Sequence, residues 1–169
     1  MESKARFLGH GIHPVMIVFP LGLLATGVVF DVIYLIWGSP DMASVAYWMI
    51  AAGIIGGLLA APFGWIDWYA IPPGTRAKTI GFIHGLTNTV ALLLFVGSWG
   101  LRHDVPEHPE TLASILSFAG AGMAGLGGWL GGELVERLGV GVHEGANLNA
   151  PNSLSNASAR STDAPVGRV

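Results

Sequence analysis

The residues of this chain most able to do chemistry are histidines and carboxylates beside or inside long apolar stretches. His84 lies six residues after Lys78, which on a helix is ~9 Å along the axis and inside the hydrocarbon of a bilayer. A neutral imidazole there must still satisfy one N–H donor and one acceptor nitrogen. We expect that Asp67 or Asn88 pairs with it, that a cofactor metal binds it, or that it relays protons.

A second group of imidazoles lies near the start of the chain, in the run Gly9 to Pro14, which reads GHGIHP. Pro14 suits the first turn of a helix, where its missing N–H costs nothing, and it favours an extended or capping conformation at His13. His13 is therefore either a helix cap at the headgroup level or a ligand. His10 is either a solvated interfacial residue or a weaker ligand candidate.

Five ionisable residues from four segments are expected on one side of the membrane, and this convergence indicates metal or haem ligation. For a single metal ion, the candidate ligands are His13, Asp67, His84 and Glu133. For a b-type haem, the candidate binding residues are His84, His13 and His10, with Arg76 and Lys78 neutralising the propionates.

Helix length gives an objection to a haem held by both His13 and His84. The stretch of sequence from His13 to Trp37 is much longer than the stretch from His84 to Trp99. If the two tryptophans mark the same depth, straight helices place His13 ~13 Å closer to the cytoplasm than His84. Shared ligation then requires the first helix to tilt, or the segment before Pro14 to fold back into the bundle.

The elements that position these residues follow from composition. Charged residues make up 11% of the 169-residue chain and hydrophobic residues 51%, with a mean hydropathy of +0.57, whereas soluble domains carry roughly 25% charged residues. This composition excludes an ordinary soluble domain, and a net charge of -3 excludes a basic surface for nucleic acid. The absence of cysteine excludes disulfides and thiolate metal sites.

Four apolar runs, at about 15–37, 44–65, 79–101 and 111–130, each approach or exceed the ~20 residues that cross a bilayer as a helix. Short connections make sequential helices antiparallel neighbours. We therefore predict an all-α membrane protein, a four-helix antiparallel bundle over residues 1–143 with the lipid bilayer as its surroundings. Residues 144–169, rich in Asn, Ala, Ser and Pro, are predicted to be a disordered tail.

The distribution of Lys and Arg predicts the orientation. With the N-terminus inside, the inner segments hold seven of the eight basic residues and the outer loops hold only Arg102. Cytoplasmic loops are enriched in such residues. Both termini are therefore predicted to be cytoplasmic in a multi-pass protein of the inner membrane.

Small and polar residues predict how the helices meet. Glycines and alanines from Gly53 to Gly64 recur at helical spacing and form one stripe suited to close packing in a bilayer. A charge inside an apolar run needs a partner, so Asp31 is expected to pair with Arg102. His103, in the outer loop, is expected to be solvated.

The chain resembles a family of bacterial four-helix membrane proteins catalogued as domain of unknown function 2231. The resemblance covers roughly residues 8–142, with Gly11 in place of the first proline of the family's His-Pro-x-His-Pro pattern. The residues that carry it are His10, His13, Pro14, the run Phe19 to Gly22, Asp31, Gly64, Asp67, His84, Arg102, Gly127, Gly128, the run Gly132 to Val135, Gly139 and Val140. The resemblance implies a redox partner such as a Rieske-type iron–sulfur protein.

Two functional hypotheses remain open, and no catalytic constellation decides whether the chain is an enzyme. The first is a membrane module that binds haem or a metal and transfers electrons. The second is a non-catalytic scaffold or subunit in which the same polar residues join helices. Ion transport is disfavoured because the outer half offers only Asp31, and whether the chain forms a homo-oligomer stays open.

Overall fold

The computed structural model describes residues 1–155 and 157–160. It begins with a short hairpin, and five α-helices and one π-helical turn follow. In chain order these are β1 (Arg6–Phe7), β2 (His10–Gly11), α1 (Ile12–Met16), α2 (Val18–Trp37), α3 (Pro40–Ala70), α4 (Arg76–Leu101), α5 (Thr111–Gly132) and the π-helical turn Glu133–Arg137.

Four helical segments are long and apolar enough to cross a membrane, which confirms the predicted four-helix membrane architecture. They are Ile12–Trp37, Pro40–Ala70, Arg76–Leu101 and Thr111–Arg137. Each is longer than its apolar run, because flanking polar residues continue the helix through the headgroup layer. Pro40 occupies the first turn of α3, where proline is well tolerated. The Thr75 hydroxyl accepts the Lys78 N–H at 3.1 Å and caps α4.

The bundle consists of two helical hairpins. Helix α2 packs on α3, α4 packs on α5, and the hairpins meet where α3 contacts α4 and α2 contacts α5. This order places α1 and α2 diagonally opposite α4. The buried core between the hairpins comprises Leu24, Ile50, Ile54 and Phe95.

Glycines allow the backbones to approach where the predicted stripe on α3 meets its neighbours. A Cβ atom on Gly53 would lie 2.6 Å from the side chain of Leu24 on α2. A Cβ on Gly57 would lie 3.0 Å from Leu92 on α4. The stripe therefore packs against protein on two sides, as small residues do in membrane helix interfaces.

The beginning of the chain lies at the same end of the bundle as the segment after α5. The Met1 amino group donates to the Gly139 carbonyl at 2.9 Å, and the Gly141 N–H donates to the Met1 carbonyl at 2.8 Å. Within the predicted tail, the described residues form turns without helix or strand. Residues 156 and 161–169 lie outside the described residues, and disorder of the tail stays a prediction.

Candidate functional site

The side chains of His13 and His84 meet inside the bundle, with ring centroids 6.4 Å apart and ring planes at 88°. The expected offset in depth between the two histidines was wrong, because Trp37 and Trp99 do not lie at one depth. Trp37 is the last residue of α2 and is 71% exposed. The ion pair between Asp31 and Arg102 fixes how α2 and α4 are aligned along the axis of the bundle.

Counting from that ion pair explains why the two rings are level. The interval in sequence from His13 to Asp31 equals the interval from His84 to Arg102. At about 1.5 Å per residue, both imidazoles lie ~27 Å from the pair along their helices. The first helix also breaks at Ile17, between α1 and α2, and α1 packs on α3.

His13 is held against the backbone of α3. Its Nδ1 atom lies 3.1 Å from the Ala60 carbonyl oxygen, and because a carbonyl only accepts, Nδ1 is the protonated nitrogen. A Cβ on Gly64 would lie 2.9 Å from His13 Cε1, so glycine is required for the ring to sit there. Among the residues that the structure describes, none gives His13 Nε2 a hydrogen bond.

His84 is held in the same way against α5. Its Nδ1 donates to the Gly127 carbonyl at 2.9 Å, and a Cβ on Gly131 would lie 3.2 Å from Cε1. The Asn88 amide donates to the His84 carbonyl at 2.8 Å, with its nitrogen 3.4 Å from His84 Nε2. The expected pairing with Asn88 is confirmed, and Asp67 does not take part.

Both imidazoles therefore have the proton on Nδ1 and the lone pair on Nε2. A histidine that binds a metal through one nitrogen commonly donates the other N–H to a backbone carbonyl or a carboxylate, which fixes its tautomer and orientation. The Ala60 and Gly127 carbonyls supply that partner for His13 and His84. The two Nε2 atoms differ in their surroundings, because His84 Nε2 lies 3.4 Å from the Asn88 amide nitrogen, whereas no described residue gives His13 Nε2 a hydrogen bond.

The two carboxylates expected among the ligands lie elsewhere. Asp67 accepts from the Ser3 hydroxyl at 2.8 Å and from the Lys4 N–H at 2.7 Å. Glu133 forms an ion pair with Arg76 at 2.6 Å. Within the described ranges no three His, Asp or Glu side chains are grouped to hold a metal ion, so the structure brings together only the two histidines.

The remaining candidates also have local partners. Lys78 Nζ donates to the Trp68 carbonyl at 2.8 Å and lies 3.9 Å from the centre of its ring, which caps the end of α3. His10 is exposed, with Nδ1 at 3.1 Å from the Leu8 carbonyl. The exposed Arg76 side chain lies at the N-terminal end of α4.

At the opposite end of the bundle, the predicted pair between Asp31 and Arg102 is confirmed as a bidentate ion pair. Its two N–O distances are 2.5 and 2.8 Å, and both residues are fully buried. The Ser117 hydroxyl donates to Asp31 at 2.6 Å, and Arg102 Nε donates to the Ser98 hydroxyl at 3.2 Å. Neither serine was identified from the sequence. The spacing of four residues from Ser98 to Arg102 places the two side chains next to each other on a helix and could have indicated the first contact.

Outside the membrane-spanning segments, the first residues of the chain contact the segment after α5. The Glu144 N–H donates to the Glu2 carboxylate, and the side chains of Arg6 and His143 lie 2.6 and 3.3 Å from it. This hydrogen bond, helped by the contacts with His143 and Arg6, holds the pKa of Glu2 below its usual value. The contact is fully present at pH values above the ordinary pKa of glutamate. It weakens as the pH falls below that value, because the Glu2 carboxylate becomes protonated.

A comparison with protein-family models finds one described as "Predicted membrane protein (DUF2231)", which matches residues 9–144. The match includes all four spanning segments and both histidines of the site. No curated protein and no solved structure shows significant similarity to the chain.

Proposed function

The chain belongs to the family of predicted membrane proteins called domain of unknown function 2231, and from that premise we propose that it is a haem-binding electron-transfer module. It is a multi-pass integral membrane protein with four candidate spans. In this proposal His13 and His84 would hold one b-type haem. The observation that carries it is the pair of imidazoles with ring centroids 6.4 Å apart, both with Nδ1 bonded to a backbone carbonyl.

The number of ligands favours haem over a bare metal ion. Protein-bound zinc takes four ligands, at least three of them from the protein, and the described residues contain no group of three. A porphyrin would supply the remaining nitrogens, so the two histidines of this chain would be enough to hold its iron.

The chain's own residues would orient and screen such a group. The carbonyls of Ala60 and Gly127 fix the ligand tautomers, and Gly64 and Gly131 leave room for the rings. Arg76, which pairs with Glu133 at the end of the bundle, would have to exchange that partner to neutralise a propionate at the surface. When bound, the haem would supply one-electron chemistry, and a Rieske-type iron–sulfur protein is the proposed partner.

The proposed orientation puts this site at the cytoplasmic side of the inner membrane, because the sequence segments assigned to that side hold seven of the eight basic residues and cytoplasmic segments are enriched in them. Reporter fusions after Glu144 and within residues 102–110 test it. The first should report a cytoplasmic and the second a periplasmic location. A periplasmic signal from the C-terminal fusion would reverse the orientation.

Cofactor content tests the haem proposal. Wild-type protein purified from cells supplied with iron and a haem precursor should contain stoichiometric iron and an absorption band that shifts on reduction. His84→Ala and His13→Ala should lose that band, since each removes one of the two imidazoles that would hold the haem. His103→Ala is the matched control and should keep it, because His103 is exposed in the connection before α5.

A folded wild type without iron or haem would refute the proposal and support the scaffold hypothesis instead. One contact favours that alternative: the Asn88 amide nitrogen lies 3.4 Å from His84 Nε2, so a hydrogen bond already reaches the ligand nitrogen. As a purely structural residue, His84 would contribute only stability. Its replacement by alanine would then cost about 1–3 kcal/mol through the polar groups left unpaired.

A further inference from the structure

The hairpin formed by β1 and β2 exposes two large apolar side chains at its tip. Phe7 is 69% exposed and Leu8 is 61% exposed. The two turn residues Leu8 and Gly9 have φ angles of 49° and 83°. Two successive positive φ angles characterise a type I′ turn, for which Asn-Gly and Asp-Gly are preferred. Leucine is disfavoured in the left-handed region. The Ser153 hydroxyl donates to the Leu8 carbonyl at 3.5 Å, but more than half of the Leu8 surface stays exposed.

Contacts with α3 fix the level of this hairpin relative to the membrane. The Asp67 carboxylate accepts from the N–H groups of Lys4 and Ala5, at 2.7 and 3.3 Å. Asp67 lies in a segment with exposed Trp65 and Tyr69 side chains. Such rings collect at the headgroup level, so the backbone of Lys4 and Ala5, just before β1, is held at that level.

The sequence on either side of the tip is also suited to a lipid surface. Strand β2 continues directly into α1, where the first spanning segment begins at Ile12. Lys4 is exposed two residues before β1, and basic residues beside a membrane are attracted to anionic headgroups. The first turns of the span expose Val15 and Val18, so exposed apolar side chains resume a few residues after the hairpin.

We propose that the hairpin tip, Phe7 and Leu8, inserts into the headgroup and upper acyl region of the bilayer and anchors the N-terminal segment there. Lipid burial of Leu8 offsets the cost of placing leucine in a left-handed turn. The hairpin thereby becomes a second contact with lipid beside the four spans, placed directly before His13. The proposal rests on the membrane setting and is independent of whether a haem is bound.

The test uses the absence of cysteine from the chain, which allows a fluorophore to be attached at one introduced thiol. Leu8→Cys is labelled and reconstituted in vesicles of phosphatidylcholine and phosphatidylglycerol that contain spin-labelled quencher lipids. Leu148→Cys is the aqueous control, since Leu148 is 105% exposed, and Leu126→Cys on α5 is the membrane control. Leu8→Cys should be quenched several-fold more than Leu148→Cys, most strongly by quenchers near the headgroups.

Two results would overturn the proposal. Quenching of Leu8→Cys equal to that of Leu148→Cys would place the tip in water. A label at Leu8→Cys in the vesicles that neither lipid quenchers nor a water-soluble quencher reaches would show that protein, either the tail or a second copy, covers the tip.

A second variant separates the anchor from the turn itself. Leu8→Asn suits a positive φ better than leucine does, so the hairpin is kept while its apolar side chain is removed. A fluorophore at Phe7→Cys should then lose several-fold of its lipid quenching in the Leu8→Asn background. Unchanged quenching would contradict the anchoring role of Leu8.

Discussion

Replacement of Asp31 by alanine should lower the free energy of unfolding by about 3–5 kcal/mol, because it leaves Arg102 charged and buried without its partner. Both side chains have no exposed surface, and each oxygen of the carboxylate accepts one guanidinium N–H. The Ser117 hydroxyl donates to the same carboxylate and would lose that bond as well. Unfolding of the detergent-solubilised protein by heat or denaturant measures the effect.

Two controls make this experiment specific. Asp104→Ala removes a carboxylate that is 97% exposed and should change stability by less than about 0.5 kcal/mol. The double variant with Asp31→Ala and Arg102→Leu removes both charges and should recover much of the loss, since an apolar replacement of a buried pair is often tolerated. If Asp31→Ala matched Asp104→Ala, the pair would not be buried in the folded protein.

Replacement of Gly53 by leucine should cost about 1–3 kcal/mol, because it forces α2 and α3 apart where they touch. A Cβ at this position would lie 2.6 Å from Leu24 side-chain atoms and 3.3 Å from the Leu24 backbone nitrogen. Leu24 belongs to the buried core, so neither the side chain nor the backbone has room to move away. The thermal stability of the purified variant is the measurement.

Gly125→Leu is the matched control for that substitution. Gly125 lies on α5 with no atom within 4 Å of an added Cβ, so the new side chain enters open space, which lipid occupies in the membrane. Both variants change one helical glycine to the same residue and share the intrinsic gain in helix propensity. Equal stability of the two would show that the face of α3 around Gly53 does not pack against α2.

The sequence predicts well those features that depend on the bilayer as a solvent. Long apolar runs predict the spans, because only helices satisfy every backbone polar group in lipid. The same argument predicts the partner of Asp31, since a charge inside an apolar run requires an opposite one. Composition and spacing are sufficient in both cases because the environment restricts the alternatives.

The depth of a residue in the membrane and the direction in which its side chain points were harder to predict. The assumption that Trp37 and Trp99 mark one depth failed because tryptophan occupies a broad interfacial layer, whereas the ion pair of Asp31 fixes a single alignment. Asp67 and Glu133 lie on the expected helices but point to local partners. The side of the membrane on which a residue lies does not determine which way its side chain points.

The hairpin before α1 could not be predicted from pattern. Its strands have two residues each, too few for an alternation of apolar and polar residues to be recognised. Its turn uses Leu8 and Gly9 rather than a common turn pair. Its position depends on long-range bonds from Asp67 to the backbone of Lys4 and Ala5.

The division of the bundle into two helical hairpins has a consequence for biosynthesis. The buried ion pair and the histidine pair each join the first half of the chain to the second, across the connection between α3 and α4. A nascent chain that has inserted only α2 and α3 carries Asp31 without its counter-charge, at a cost of roughly 2.5–3.5 kcal/mol on insertion scales. Charge neutralisation therefore occurs when the two helical hairpins assemble. Until Arg102 has been synthesised and inserted, Asp31 in the first hairpin has no counter-charge.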